Sequence, residues 1–133
     1  MQRVIHGAAA EGNSVIVGRG SPFFLRGRAD AFHVFVYAPL EEKIRRLREE
    51  GKSEAEAAEE IACVDRQRVI FVRKYFGMEW PTRELYHLMI NSKVGDEIVI
   101  DTILSEITNV VITPTEAVGV PASLNWTKTR LDQ

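Results

Sequence analysis

The chain has 133 residues, 45% hydrophobic and 27% charged, which suits one compact domain large enough to bury a core. A net charge of −2 excludes the broad basic field that draws proteins to nucleic acid or anionic lipid, so neither is expected as a partner. No apolar run reaches the roughly 18 residues that span a bilayer, and "MQRVIHGAAAEG" lacks a basic segment followed by a long apolar one, so a cytoplasmic location is expected.

In chain order, the residues before Gly12 suit a short helix, with Gly12 and Asn13 as its stop. "SVIVGRGS" and "AFHVFVYAP" are short apolar runs closed by glycines and by a proline, and both read as buried strands followed by turns. In "PLEEKIRRLREEGKS" a helix is predicted: Pro39 suits its first turn, Leu40, Ile44 and Leu47 share a face, and Gly51 ends it. Glu41 with Arg45, and Glu42 with Arg46, are spaced for pairing along that helix. Ser53 and Glu56 form a capping box for a second helix that runs to about Gly77. "LYHLMIN" is a third strand, and "VGDEIVIDTILSEI" a further helix. From Thr113 the chain is polar and broken by prolines, so residues 1–112 read as the domain and 113–133 as a tail.

Strands alternating with helices imply a parallel sheet flanked by helices, with ligands at the carboxyl ends of the strands. "GRGS", "APLEE" and "NSKVG" are then expected along one rim. Three phosphate-like or metal-like motifs fail on context. "GAAAEGNS" departs from a P-loop at Asn13, where lysine belongs, and it runs from helix to strand when a P-loop runs from strand to helix. "GKS" at Gly51–Ser53 joins two helices, and "EIVID" ending at Asp101 lies in a predicted helix. His6, His33 and His87 have no metal-ligand spacing, and no metal site is expected. The lone Cys63 cannot form an internal disulfide and reads as structural.

The runs "VIVGRGS", "FHVFVYAPLEEKIRRL", "VDRQRVIFVRKYFGMEW" and "LYHLMINS" together resemble, over about residues 12–107, the later part of the cytidylate kinase-like family of nucleoside monophosphate kinases. The resemblance implies transfer of the ATP γ-phosphoryl group to CMP or a related monophosphate, with ATP and magnesium as cofactors and an arginine-rich lid. It also implies the fold: an α/β, three-layer, P-loop-kinase-like architecture, here incomplete because the first strand and the P-loop have no counterpart in the sequence.

Site residues follow from the resemblance only where the positions match. Gly18, Arg19 and Gly20 are similar to the segment that contacts the acceptor nucleotide; a guanidinium suits a phosphate through its paired donors. The alternative reading of Arg19 is a turn arginine paired with a surface acid. Cytidylate kinases proper carry aspartate at the position of Gly20 and use it in reading the base, so a preference for cytosine does not follow. Asp65, Arg66, Arg68 and Arg73 resemble the lid, with the three arginines in the catalytic role of offsetting charge on the transferring phosphoryl group and Asp65 on the substrate side. Arg66 and Arg73 are seven residues apart, hence on one helix face. Arg45, Arg46 and Arg48 have acidic neighbours and read as a solvated face; Trp80 and Tyr86 read as packing residues.

A sheet without that first strand has two unpaired edges. The expected remedies are direct pairing of the flanking strands, insertion of "NVVIT" (Asn109–Thr113), or a second chain, as a homo-oligomer or a complementing polypeptide. Without a P-loop lysine and its amide nest, negligible turnover is expected of the chain alone. The alternative function is a non-catalytic nucleotide-binding, anion-binding or assembly module derived from the same fold.

Overall fold

A computed structural model describes residues 1–112, with side chains to residue 109, and the backbone of residues 128–130. Helix α1 (Gln2–Glu11) ends at Gly12 and Asn13, whose φ values of 71° and 47° are left-handed, a turn that glycine and asparagine tolerate best. Ser14 Oγ donates to the Ala8 carbonyl at 3.0 Å and fastens the turn back onto α1 before strand β1 (Val15–Val17) begins. Helix, turn and strand therefore follow in the order read from the sequence.

After the Gly18–Gly20 turn comes α2 (Ser21–Leu25), a five-residue helix with Pro22 in its first turn. The sequence reading missed it because one helical turn is too short to show a period. Tertiary packing holds it: Ser21, Pro22, Phe23 and Leu25 are buried, and the Phe23 ring stacks on Phe76 with centroids 4.1 Å apart. Strand β2 (Val34–Tyr37) leads through Pro39, the N-cap, into α3 (Leu40–Glu49). Ser53 and Glu56 make the expected reciprocal cap of α4 (Glu54–Phe76), which stops at Gly77 with φ of 65°. Strand β3 (Leu88–Asn91) and α5 (Asp96–Ile112) follow, and Lys128–Arg130 form β4.

Hydrogen bonding groups the strands in two parallel pairs. β2 lies beside β3 with Val34 opposite Leu88 and Tyr37 opposite Asn91; β1 lies beside β4 with Val15 opposite Lys128. The architecture is mixed α/β with parallel pairing, as expected, although one continuous sheet is not what the pairing describes. The suggested filler strand is corrected too: residues 109–112 continue α5, because the apolar rhythm of "IVIDTILSEITNVVI" is carried on as helix, and Thr113 lies outside the described residues. Nor does β1 pair with β2.

Buried side chains join the helices around Ile5, Phe23, Leu25, Ala57, Ile61, Val72 and Val99. Ala57, Ile61 and Val72 fall within about 60° of one another around α4, so that helix turns a single face inward. On α3 the expected apolar face is only half right. Ile44 and Leu47 are half-buried, but Leu40 is exposed and the buried residue is Glu42. A buried carboxylate needs partners, and two arginines supply them.

Candidate functional site

The carboxyl ends of β2 and β3 meet at Tyr37 and Asn91, and the turns that leave them, "APLEE" and "NSKVG", share a rim as expected. Asn91 Oδ1 accepts from the Lys93 amide at 3.0 Å, which shapes the turn into α5. Lys93 Nζ then reaches Glu41 at 2.7 Å, so Glu41 pairs across the rim and not with Arg45 as its spacing suggested. Glu42 accepts from Arg45 at 2.7 Å and from Arg46 at 3.0 Å. The Arg45 hydrogen bond is the main reason its carboxyl pKa is held down to about 2. Arg46 also donates to Ser92 Oγ at 3.1 Å, which binds α3 to the end of β3. Reading Arg46 as merely solvated is therefore corrected. A cavity of about 540 Å³ opens between these groups, lined by Glu42, Arg45, Arg46, Ser92, Lys93 and Asp96 among others.

The α4 residues divide into two sets. Asp65 accepts from Lys43 of α3 at 3.0 Å and from Arg68 at 2.8 Å, so both its oxygens are engaged. Arg68 lies over the Trp80 ring, 5.5 Å from its centroid. Asp65 and Arg68 thus knit α3, α4 and the Trp80 segment together. Trp80 and Tyr86 both pack on Phe35 of β2, with centroids 5.7 and 5.0 Å away, as packing residues do. Arg66 and Arg73 are exposed. Their spacing puts them on one side of α4, about 10 Å apart along its axis, while Arg68 is turned about 160° from Arg66. The three arginines are therefore not one cluster.

The Gly18–Gly20 turn sits at the carboxyl end of α4. Gly18 is exposed, Arg19 half-buried and Gly20 buried. A Cβ added to Gly20 would stand 3.3 Å from Phe24 Cε2 and 3.6 Å from both Met1 Sδ and Phe76 Cζ. Phe76 is three residues beyond Arg73, so the backbone beside Arg19 packs against the helix turn that carries Arg73. Of the expected set, the fold brings these two segments together, holds Asp65 and Arg68 in the helix junction, and leaves Arg66 further along α4.

Sequence reasoning missed Lys43 as the partner of Asp65, Ser92 as the partner of Arg46, and the approach of His33 to His87, whose ring centroids are 5.2 Å apart. These partners are separated by 22, 46 and 54 residues, beyond any local spacing signal. Among the described residues no group of three His, Cys, Asp or Glu side chains is arranged to hold a metal ion, and no helix is long and apolar enough to cross a membrane. Gly7–Ser14 does not fit a triphosphate and its magnesium: Gly12 closes α1, and a strand follows, so no helix N-terminus faces the turn.

Residues 1–94 match the family model described as the cytidylate kinase-like family. A cytidylate kinase of Ignicoccus hospitalis is 33% identical over 105 residues, which cover 77% of this chain and 60% of that protein. A crystal structure of an uncharacterized protein from Eubacterium ventriosum superposes with a TM-score of 0.72 at 24% identity, over 81% of this chain and 63% of that one, a likeness of fold. The chain thus spans about three-fifths of the length of the curated relative. With the family model covering 94 residues and the relative covering three-quarters of the chain, the protein belongs to the cytidylate kinase-like family.

Proposed function

We propose that these residues form the acceptor-binding and lid part of a nucleoside monophosphate kinase, which holds CMP or a related monophosphate through Arg19 and closes over it with Arg66 and Arg73 of α4. The observation that carries the reading is the packing of Gly20 against Phe76, which sets the Arg19 turn beside the turn of α4 that bears Arg73. Guanidinium groups suit this task because they stay charged and offer paired donors to phosphate oxygens. Arg66 and Arg73, exposed on one side of α4, are free to meet a charged group that arrives from solvent, whereas Asp65 and Arg68 position the helix.

ATP and magnesium enter as the family's donor and metal, and the described residues make no grip for them. The chain by itself is accordingly proposed to turn over negligibly, with the triphosphate grip supplied by other residues. Binding and turnover separate the two halves of this reading. Calorimetric titration with CMP, UMP, AMP and GMP is expected to detect at least one of them, with affinity reduced roughly tenfold in Arg19→Ala. A coupled assay with ATP, magnesium and CMP is expected to stay at background. Turnover that tracks the protein and vanishes in Arg19→Ala would overturn the proposed inactivity. Absence of monophosphate binding would overturn the acceptor role and leave the second reading, a module without catalysis. That second reading is favoured by one feature, the saturation of Asp65 by Lys43 and Arg68.

A further inference from the structure

At the amino-terminal ends of β2 and β3, opposite the arginine-bearing rim, two histidines meet. The His33 amide donates to His87 Nδ1 at 2.9 Å, and the His87 amide donates to the His33 carbonyl at 2.8 Å. The two rings lie nearly parallel with centroids 5.2 Å apart, and Phe32 covers the His87 ring at 5.3 Å. His33 is buried and His87 exposed. A cavity of about 300 Å³ adjoins the pair, lined by Arg26, Arg28, Glu84 and both histidines among others.

The direction of one hydrogen bond decides what this arrangement does. A backbone N–H can only donate, so Nδ1 of His87 must present a lone pair, and in the neutral ring the proton sits on Nε2. A proton taken from solvent at Nδ1 occupies that lone pair. The imidazolium then carries N–H at both nitrogens and accepts at neither, and the His33 amide loses its partner. That amide belongs to the residue just before β2, and the reciprocal bond from His87 precedes β3, so the pair closes the start of the ladder that continues from Val34 opposite Leu88.

We propose that His33 and His87 form a pH-operated clasp on the β2–β3 pair, closed while His87 Nδ1 is unprotonated and opened when it takes a proton. The charges around the clasp come from three directions. Arg26 and Arg28 precede β2, and Arg28 is held by Asp30 at 2.6 Å; Glu84 lies in the turn before β3; His33 faces the His87 ring. At the other end of the pair, Arg46 holds Ser92 and Lys93 holds Glu41, and no histidine takes part in either contact. The clasp thus bears on the amino-terminal end of the pair, where the ladder begins.

The test is a proton–nitrogen NMR titration of the whole 133-residue chain from pH 8 to pH 5, following the His33 amide and the His87 ring together. In the wild type the His33 amide resonance is expected to shift with the same midpoint as the His87 ring, and its hydrogen exchange to quicken by roughly tenfold beyond the intrinsic pH trend. His87→Asn replaces Nδ1 by an amide oxygen that accepts at every pH, so it should keep the His33 amide bonded and flatten its titration. His87→Ala should leave that amide unbonded throughout. A His33 amide that ignores the His87 titration overturns the proposal, as does a full pH response persisting in His87→Asn. Should His87→Ala not fold, the wild-type titration and His87→Asn decide between these outcomes.

Discussion

Arg46 of α3 and Ser92 at the end of β3, 46 residues apart in the chain, are joined by a 3.1 Å hydrogen bond that crosses the rim. Glu42 completes the connection, since its carboxylate orients the Arg46 guanidinium from the same helix. The position of α3 over the sheet thus depends on a charged network as well as on Ile44 and Leu47. Arg46→Ala is expected to cost about 1 kcal/mol, a charged hydrogen bond discounted for its partly exposed donor. Urea unfolding monitored by circular dichroism checks this; an unchanged midpoint would show the bond to be dispensable.

Asp65 offers a sharper separation of stability from binding. Both its oxygens are occupied by Lys43 and Arg68, so Asp65→Asn should loosen the α3–α4 junction by about 1 kcal/mol. Monophosphate affinity should change by less than roughly threefold if the residue only positions α4. A tenfold or greater loss of affinity at unchanged stability, read by calorimetry beside thermal unfolding, would instead assign Asp65 to the nucleotide directly.

At Gly20, the position that the family resemblance pairs with an acidic residue of cytidylate kinases proper, an added side chain meets close neighbours. A Cβ at this backbone would meet Phe24 Cε2 at 3.3 Å and Met1 Sδ and Phe76 Cζ at 3.6 Å, so an aspartate side chain would start against two aromatic carbons and a thioether sulfur, none of them a hydrogen-bond donor. Gly20→Asp is expected to destabilise by about 2 kcal/mol or more through a poorly solvated carboxylate, and not to sharpen the choice of base. Gly20→Ala, with ordinary negative φ at this position, should be milder. Thermal melts of the two variants, with CMP and AMP titrations of whichever folds, distinguish a packing role from base reading.

Acid should weaken the fold in two stages. Burial, aided by the charge of His87, lowers the His33 pKa below its ordinary 6.5, with a smaller opposing pull from the Leu25 backbone. The unfolded chain then binds more protons than the folded one below pH 6.5, so stability falls on acidification from that point and levels off below the folded-state pKa. Glu42 acts later. Its contribution is complete above the ordinary carboxyl value of 4.5 and disappears as pH falls toward about 2, because the Arg45 and Arg46 bonds need the ionised form. Urea midpoints measured from pH 7 to pH 2.5 should decline in these two windows, and Glu42→Gln should flatten the lower one. A midpoint that rises between pH 7 and pH 5.5 would contradict the assignment to His33.

Removal of a cap tests the longest helix. Ser53 Oγ accepts from the Glu56 amide at 3.2 Å while the Glu56 carboxylate accepts from the Ser53 amide at 2.8 Å. Ser53→Ala is expected to cost about 1 kcal/mol, and thermal unfolding reads it directly.

What the sequence determined by itself was the local order. Gly12 and Asn13 as a stop, the Ser53–Glu56 cap, Gly77 as the end of α4 and the apolar runs of β2 and β3 are all written within a few residues of where they act, because capping and strand patterning are short-range physics. The family was legible for the same reason, in runs such as "VIVGRGS" and "LYHLMINS" kept in order along the chain. The tertiary structure decided which charges meet. Asp65 with Lys43, Arg46 with Ser92 and His33 with His87 are each made by folding distant segments against one another, and α2 exists because Phe23 finds Phe76. Such pairings depend on three-dimensional distance, and side-chain spacing along the chain carries no record of it.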